Sequence, residues 1–304
     1  MVRGSDAPPV VAMAIDIGGT KLVAGLVDED GTVLSRATAA TPVTSASEEL
    51  FGIVAALVAE APRAQRPRAK APAPVVCGVG CGGPMTPGGE LVSPLNIEAW
   101  RGFPLRSRLA DLTGLPTFVD NDAKALALGE GWKGAAAGCT DYLAMVVSTG
   151  VGGGCVVDGR LLDGQNGNAG HIGHVIVVPG GRRCRCGAYG CLEAEASGTA
   201  IAAITGRPPS EAGPEVIVRT GRLVGQAVGS VANLLDLRLA VVAGSVALGF
   251  GQPFFDAAQG ELDRTACLEF SRGTRIVPAG LGPDGPIIGA AAVGLRGFGD
   301  LQAG

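Results

Sequence analysis

Apolar residues run without a break from Val10 to Ile15, give way to Asp16-Ile17-Gly18-Gly19-Thr20, and resume behind Lys21 as far as Val27. The pattern predicts a buried strand, a turn over Asp16 to Thr20, and a second strand. Asp28 to Gly31 has the composition of a hairpin turn. Residues 46 to 60 read as a helix, with Glu48 and Glu49 near its start and Ala, Leu and Val behind them. Pro62 to Pro74, rich in Pro, Arg and Ala, reads as an exposed linker loop. Strand character returns over Val75 to Gly80, and helical character over Pro104 to Leu112. Thr117 to Val119 is a short strand that feeds Asp120-Asn121-Asp122 and a helix reaching about Trp132.

Residues 13–28 align with residues 145–158, apolar strand on apolar strand and glycine turn on glycine turn. Each copy is a strand, a Gly-rich turn and a strand. The copies are on the order of 130 residues apart, far beyond the 20 to 50 of solenoid repeats, so a duplicated domain is expected. Backbone N–H groups of such turns bind phosphate oxygens. Neither turn is a Walker loop, and neither has the strand, G-x-G-x-x-G and helix of a dinucleotide site. Asp16, at the end of the first strand, is placed to hold Mg2+ or its water beside a polyphosphate.

The chain has 304 residues, 47% of them hydrophobic and 17% charged, enough for two domains and unlike a disordered chain. Glycine occupies 50 positions, against a usual share of about 7%. No G-X-Y period accompanies it. The formal charge is -4 with basic residues scattered, which gives no nucleic-acid surface. No apolar stretch reaches the ~18 to 20 residues of a spanning helix, and no signal peptide is visible. A cytoplasmic, reducing location is therefore expected, in which the eight cysteines should be thiols or metal ligands. Both histidines lie in His171-Ile172-Gly173-His174.

Asp16-Ile17-Gly18-Gly19-Thr20-Lys21, Asn121-Asp122-Ala123, Ser148-Thr149-Gly150-Val151-Gly152-Gly153-Gly154 and Cys184-x-Cys186-Gly187-x-x-Gly190-Cys191-Leu192-Glu193 stand in one chain in this order. In order and spacing they resemble the ROK (repressor, open reading frame, kinase) family, from residue 12 to about 297. The resemblance implies an α/β chain of the actin-like ATPase, ribonuclease-H-like fold, with ATP and a sugar meeting between two α/β domains. The expected domains are a small one, residues 1–118 with 290–304, and a large one, 119–289, carrying a zinc-binding loop over 171–193. A homodimer is the family's habit. A repressor of the family would need an added helix-turn-helix, for which the 15 residues before Asp16 are too few, so a kinase is expected.

On the residues alone, Asp120, Asn121 or Asp122 could simply cap the following helix. The resemblance makes Asp122 the catalytic base that takes the proton of the attacking sugar hydroxyl, a task set by positioning in a loose transition state. It also implies ATP contacts at Asp16, Gly18, Gly19, Thr20, Lys21, Thr149, Gly150, Gly152, Gly153, Gly244 and Ser245, with Mg2+ near Asp16. His174, Cys184, Cys186 and Cys191 form a Cys3His set for a structural Zn2+ with no open position. Arg182, Arg183 and Arg185 in the same loop could offset its charge. The implied sugar contacts are Asn121, Asp122, His171, His174 and Glu193. Most sugar kinases of the family carry Glu-x-Gly-His where this chain has His171-Ile172-Gly173-His174, which is similar to the bacterial N-acetylmannosamine kinases. A neutral histidine both donates and accepts, and so could bond an N-acetyl carbonyl. N-acetylmannosamine is the favoured acceptor, phosphorylated by ATP at its 6-hydroxyl, with glucose and N-acetylglucosamine open. Cys77, Cys81, Cys139, Cys155 and Cys267 are expected to be buried packing.

Overall fold

The structure, a computed structural model, describes residues 9–64 and 72–303. The middle of the expected Pro62 to Pro74 loop, residues 65–71, lies outside the described residues. In chain order the strands are β1 Val11–Ile17, β2 Lys21–Asp28, β3 Val33–Ala40, β4 Val76–Cys81, β5 Thr117–Asn121, β6 Tyr142–Val147, β7 Val151–Val157, β8 Arg160–Leu161, β9 Leu239–Ala243 and β10 Arg275–Pro278. The helices are α1 Ser47–Glu60, α2 Leu105–Thr113, α3 Asp122–Lys133, α4 Leu192–Ala196, α5 Gly198–Thr205, α6 Pro214–Leu235, α7 Ser245–Phe250, α8 Gln252–Thr265 and α9 Gly285–Ala303. They form two compact units. One holds the residues up to Gly129, Gly164–Asn168 and the residues from Leu281, and the other holds Glu130–Asp163 and Ala169–Gly280.

The first unit is built on a sheet of order β3-β2-β1-β4-β5. β1 runs antiparallel to β2 and parallel to β4, β2 antiparallel to β3, and β4 parallel to β5. β1 and β4 are almost wholly buried, as central strands covered on both faces must be. Leu50, Phe51, Val54 and Leu57 of α1 follow helical spacing and share a cluster with Trp100, Leu105, Leu109, Met13 and Ile15. α9 packs on β4, β1 and β5. It comes so close to β4 that a Cβ on Gly78 would collide with the α9 backbone at Ala290 and Gly294. Glycine is required there because backbone meets backbone.

β1 continues through Asp16 and Ile17, which pair with Val23 and Leu22 of β2 and with Gly80 and Cys81 of β4. Asp16 is therefore held in the sheet, and the turn contracts to Gly18-Gly19-Thr20, closed by Gly18 N–H donating to Lys21 O at 3.0 Å. The edge strand β3 has no counterpart in the sequence reading, because Ser35, Arg36 and Thr38 interrupt its apolar residues. β5 extends to Asn121, paired with Cys81. The units divide at Gly129/Glu130 and Gly280/Leu281, whereas divisions at 118/119 and 289/290 were expected. Those would cut β5 and α9, and both pack within the first unit.

The second unit has a sheet of order β10-β9-β6-β7-β8. Here β6 is antiparallel to β7 and parallel to β9, β7 is antiparallel to β8, and β9 is parallel to β10. Strand order and senses thus match the first sheet, with β6 and β7 in the places of β1 and β2, as a duplicated domain requires. α6 and α8 pack closely because Gly221, Gly225 and Gly229 recur every fourth residue opposite the Phe254 to Thr265 side of α8.

Among the described residues no helix is long and apolar enough to cross a membrane. Cys77, Cys81 and Cys155 are buried, and burial pushes the Cys77 thiol up to about 12 and the Cys155 thiol up to about 11. Cys139 and Cys267 depart from the expectation of burial and are exposed. Both follow helix ends, where the chain turns out to solvent.

Candidate functional site

Asp16 of β1 and Asp122, the first residue of α3, come together in the first unit. Asp16 lies beside Gly80 in the parallel register, and the missing side chain of Gly80 leaves space there. A Cβ on Gly80 would stand 3.6 Å from Asp16 Oδ1, 3.7 Å from the Asp122 Cα and 3.4 Å from the Ala125 Cβ. Burial pushes the Asp16 carboxyl up to about 7, the charge of Asp122 adds to the rise, and Lys21 and Arg36 oppose it. Burial also raises Asp122, opposed by the Ala123 N–H that Asp122 Oδ1 accepts at 2.8 Å. Two half-buried carboxyls in one place favour a shared proton or a divalent cation. Gly80 was not singled out in the sequence, although a glycine inside a strand signals a close approach.

Asn121 and Asp122 sit where β5 hands over to α3, a rigid mount for a reacting side chain. The capping alternative is partly realised, since Asn121 Oδ1 accepts the Ala123 N–H at 3.0 Å. Asp120 Oδ1 accepts from Asn121 N–H at 2.8 Å and pairs with the buried Lys124 ammonium at 3.0 Å. Lys124 Nζ also donates to Gly167 O at 3.2 Å, and Asn168 Nδ2 to Met85 O at 3.1 Å, which fastens the Gly164–Asn168 segment within this unit. The first glycine turn is braced by Thr41, whose Oγ1 donates to Gly18 O at 2.7 Å and whose N–H donates to Thr20 O at 3.1 Å. Lys21 is exposed at the start of β2.

In the second unit the register Val147↔Val151 limits the second glycine turn to Ser148-Thr149-Gly150, closed by Ser148 N–H donating to Gly150 O at 2.9 Å. Gly152 and Gly153 lie in β7, opposite Val146 and Met145. Gly153 makes room for another segment: a Cβ there would be 2.9 Å from Ile172 Cγ2 and 3.1 Å from Gly170 O. Gly244 has φ of 102°, and a Cβ on it would strike the Val147 backbone, so only glycine fits between β9 and α7. Next to it, the Ser245 and Ser148 hydroxyls are 2.9 Å apart. Thr149, Ser245, Gly198, Thr199, Pro209, Ser210, Ile217 and Phe250 line a cavity of about 610 Å³, with both hydroxyl-bearing and apolar side chains among them. A mixed lining of this kind suits a nucleotide, which has both polar and flat aromatic parts.

His174, Cys184, Cys186 and Cys191 are also gathered in this unit, with their ligand atoms all within 4.8 Å of one another. Cys184 Sγ is 3.7 Å from His174 Nδ1, and Cys186 Sγ is 3.7 Å from Cys191 Sγ. A tetrahedral Zn2+ with Zn–S of about 2.3 Å has edges of about 3.7 Å, the spacing of these two donor pairs, and sulfurs this far apart are not disulfide-bonded. Burial raises Cys184 and pushes Cys191 up to about 12, whereas the Ala188 N–H lowers Cys186. His171 is exposed, its ring centroid 6.0 Å from that of His174. Glu193, in α4 just past the last cysteine, accepts the Val151 N–H at 3.0 Å.

Glu195 was missed in the sequence and is the most buried acid of the loop's surroundings, with a side chain 1% exposed. It binds Arg182 Nη1 at 2.8 Å, the Arg182 N–H at 2.7 Å and Arg219 Nη2 at 2.6 Å. Burial raises its carboxyl, but these partners outweigh the rise and hold it low. Arg182, expected to balance the cysteine thiolates, is therefore engaged with Glu195. Nothing in the sequence marks this pair, because Arg219 is 24 residues away.

A model of the ROK family matches residues 12–296. A glucokinase of Thermotoga maritima is 40% identical over 196 residues, an alignment that spans 64% of this chain and 59% of the glucokinase. An N-acetylmannosamine kinase of Escherichia fergusonii is 37% identical over 259 residues, 80% of this chain and 85% of the relative. Among solved structures, a ROK family glucokinase from Streptomyces griseus in complex with glucose and AMPPNP superposes with a TM-score of 0.80 at 30% identity, covering 95% of this chain and 99% of that one. With its two five-stranded sheets the chain has the actin-like ATPase fold that the motifs implied. The chain belongs to the ROK family.

Proposed function

We propose that this protein is an ATP-dependent kinase that phosphorylates the 6-hydroxyl of a hexose-type sugar, with N-acetylmannosamine as the favoured acceptor. The observation that carries the reading is the pair Asp16 and Asp122 around the bare Gly80. Asp122 takes the proton of the sugar 6-hydroxyl as its oxygen bonds to the γ-phosphorus and the bond to ADP breaks. Asn121 can donate to or accept from a sugar hydroxyl, and the Glu193 carboxylate accepts from one. Asp16 would hold Mg2+, which neutralises phosphate charge when bound, beside Gly18, Gly19, Thr20 and Lys21. Thr149 and Ser245 line the cavity assigned to the nucleotide, and Gly150 and Gly244 are their neighbours in the chain. Gly152 and Gly153 lie within β7 in this reading, and Gly153 packs against Ile172 and Gly170.

Zn2+ fits His174, Cys184, Cys186 and Cys191 as a structural ion, since four protein ligands leave no open position. A histidine bound through Nδ1 carries its proton on Nε2, so His174 can meet a sugar hydroxyl only as a donor there. The choice of N-acetylmannosamine rests on His171. A carboxylate at this place would only accept, whereas imidazole can donate to the N-acetyl carbonyl. The similarity to an N-acetylmannosamine kinase supports this choice, and the similarity to a glucokinase supports glucose.

The test is ADP release with Mg-ATP across glucose, mannose, N-acetylglucosamine and N-acetylmannosamine. N-acetylmannosamine should give the highest kcat/KM, and His171→Glu should move the preference toward glucose. Fast turnover of glucose with none on the N-acetyl sugars would overturn the substrate assignment. ADP release unaffected by any sugar would overturn the kinase reading.

A further inference from the structure

We infer that Glu193 is a positioning residue for the turn Ser148-Thr149-Gly150, and that the Cys3His loop sets nucleotide affinity through it. The inference rests on the reading of that turn as a nucleotide site. The residues that follow the last cysteine are stitched to the turn. Glu193 Oε2 accepts the Val151 N–H at 3.0 Å. Gly198 N–H donates to Ser148 O at 2.7 Å, and Thr199 reaches Thr149 O with both its N–H at 3.3 Å and its Oγ1 at 2.9 Å.

These bonds have a directional consequence. In a planar trans peptide the C=O and the next N–H point opposite ways. With the Ser148 and Thr149 carbonyls bonded to Gly198 and Thr199, the N–H groups of Thr149 and Gly150 are turned to the opposite side of their peptide planes, so the stitching fixes the direction of both donors. The Val151 N–H, which would otherwise compete with them, is taken by Glu193. Gly150 permits this, since a Cβ on it would lie 2.9 Å from Glu193 Oε2.

The metal-ligating loop reaches the same turn from both of its ends. Cys191 immediately precedes α4, and Leu192 N–H is anchored on Val175 O at 2.9 Å, next to His174. At the other end Gly173, between the two histidines, packs so tightly on Val151 that a Cβ there would collide with its carbonyl oxygen. Closing the four ligands around an ion fixes His174 and Cys191 relative to each other, and thereby fixes Gly173 and Glu193 against Val151. This assignment adds a donor-side role to Glu193 beside its proposed sugar contact.

The test measures binding of Mg-AMPPNP in the absence of sugar, together with hydrogen exchange of the Val151 amide. Glu193→Ala should raise Kd about tenfold and speed Val151 exchange, since a charge-assisted bond is lost. Glu193→Gln, which keeps an acceptor, should stay within about twofold of the unaltered protein. Removing zinc with a chelator and then restoring Mg2+ should raise Kd in the unaltered protein, with little further effect in Glu193→Ala, because one link is broken twice. An unchanged Kd in Glu193→Ala, or equal effects of chelation in both proteins, would overturn the inference. If the unaltered protein binds no AMPPNP, the nucleotide reading fails on its own. Val151 exchange still decides the link in that case, and exchange that chelation leaves unchanged refutes it.

Discussion

Asp16 on β1 and Gly80 on β4 are direct partners in a parallel register, and the hydrogen in place of a side chain on Gly80 leaves room beside the Asp16 carboxylate and the Asp122 backbone. Gly80→Ala would put a methyl 3.6 Å from Asp16 Oδ1, an ordinary van der Waals contact. The variant should fold, with its melting temperature close to that of the parent. Its turnover should fall about tenfold and its Mg2+ requirement should rise, because a methyl excludes the waters that complete a Mg2+ shell. A Mg2+ titration of the sugar-dependent rate checks this, and an unchanged curve would show that the space is not used.

Removing the base has a separate signature. Asp122→Asn keeps the size and the acceptor for the Ala123 N–H but cannot take a proton. Turnover should drop about 10²- to 10⁴-fold while the sugar Kd, measured calorimetrically, stays within a fewfold of the parent. A variant with normal turnover would take Asp122 out of this role.

The raised Asp16 carboxyl makes stability depend on pH in a definite direction. Its value is about 7 in the fold, against 3.8 for an ordinary aspartate. Both states are protonated below about pH 4, where the contribution to stability is full. As pH rises toward 7 the unfolded chain ionises first and the contribution is lost. Metal-free Asp16→Asn should therefore be more stable than the parent at pH 8, by about 1–3 kcal/mol, with the gap closing toward pH 4. Urea melts at the two pH values measure it. Mg2+ should narrow the gap by stabilising the parent.

Zinc content can be read directly. Elemental analysis of protein purified without chelators should give one zinc per chain, and Cys186→Ser should lose it. Because ligand binding to the folded state adds to stability, chelation should lower the melting temperature of the parent and leave that of Cys186→Ser unchanged. Protein free of zinc in this preparation would count against the Cys3His site.

The Glu195 cluster should respond asymmetrically. Replacing both Arg182 and Arg219 by Ala strands a buried carboxylate and should cost about 3–5 kcal/mol in urea unfolding. Glu195→Gln should cost less, since it keeps an acceptor and leaves two half-exposed arginines that rehydrate. Equal costs would mean that the ion pairs contribute little beyond packing.

The paired strand and glycine-turn units were legible because apolar runs ending in glycine carry their own signal, and the structure returns them as β1–β2 and β6–β7 hairpins in sheets of the same order. The cysteine spacing was equally local, and its four ligand atoms do come together. Less was legible where a residue's partner lies far along the chain. The roles of Gly80, Glu195 and Lys124 depend on register or on contacts 13 to 43 residues away. Gly152 and Gly153 looked like turn glycines because their composition was right, and only the Val147↔Val151 register placed them in a strand.

By itself the sequence determined the strand, turn and helix order around the motifs, the Cys3His donor set, and the Asp16 and Asp122 carboxyls, because each is written in adjacent residues. The glycine excess it could only count. The tertiary structure decided what many of those glycines do: Gly78 against Gly294 and Gly221, Gly225 and Gly229 against α8 let backbones touch, and Gly80 leaves space beside a carboxylate. It also decided the raised Asp16 carboxyl and the bond from Val151 to Glu193. Those properties arise from burial and from which backbones meet, and neither exists until the chain has folded.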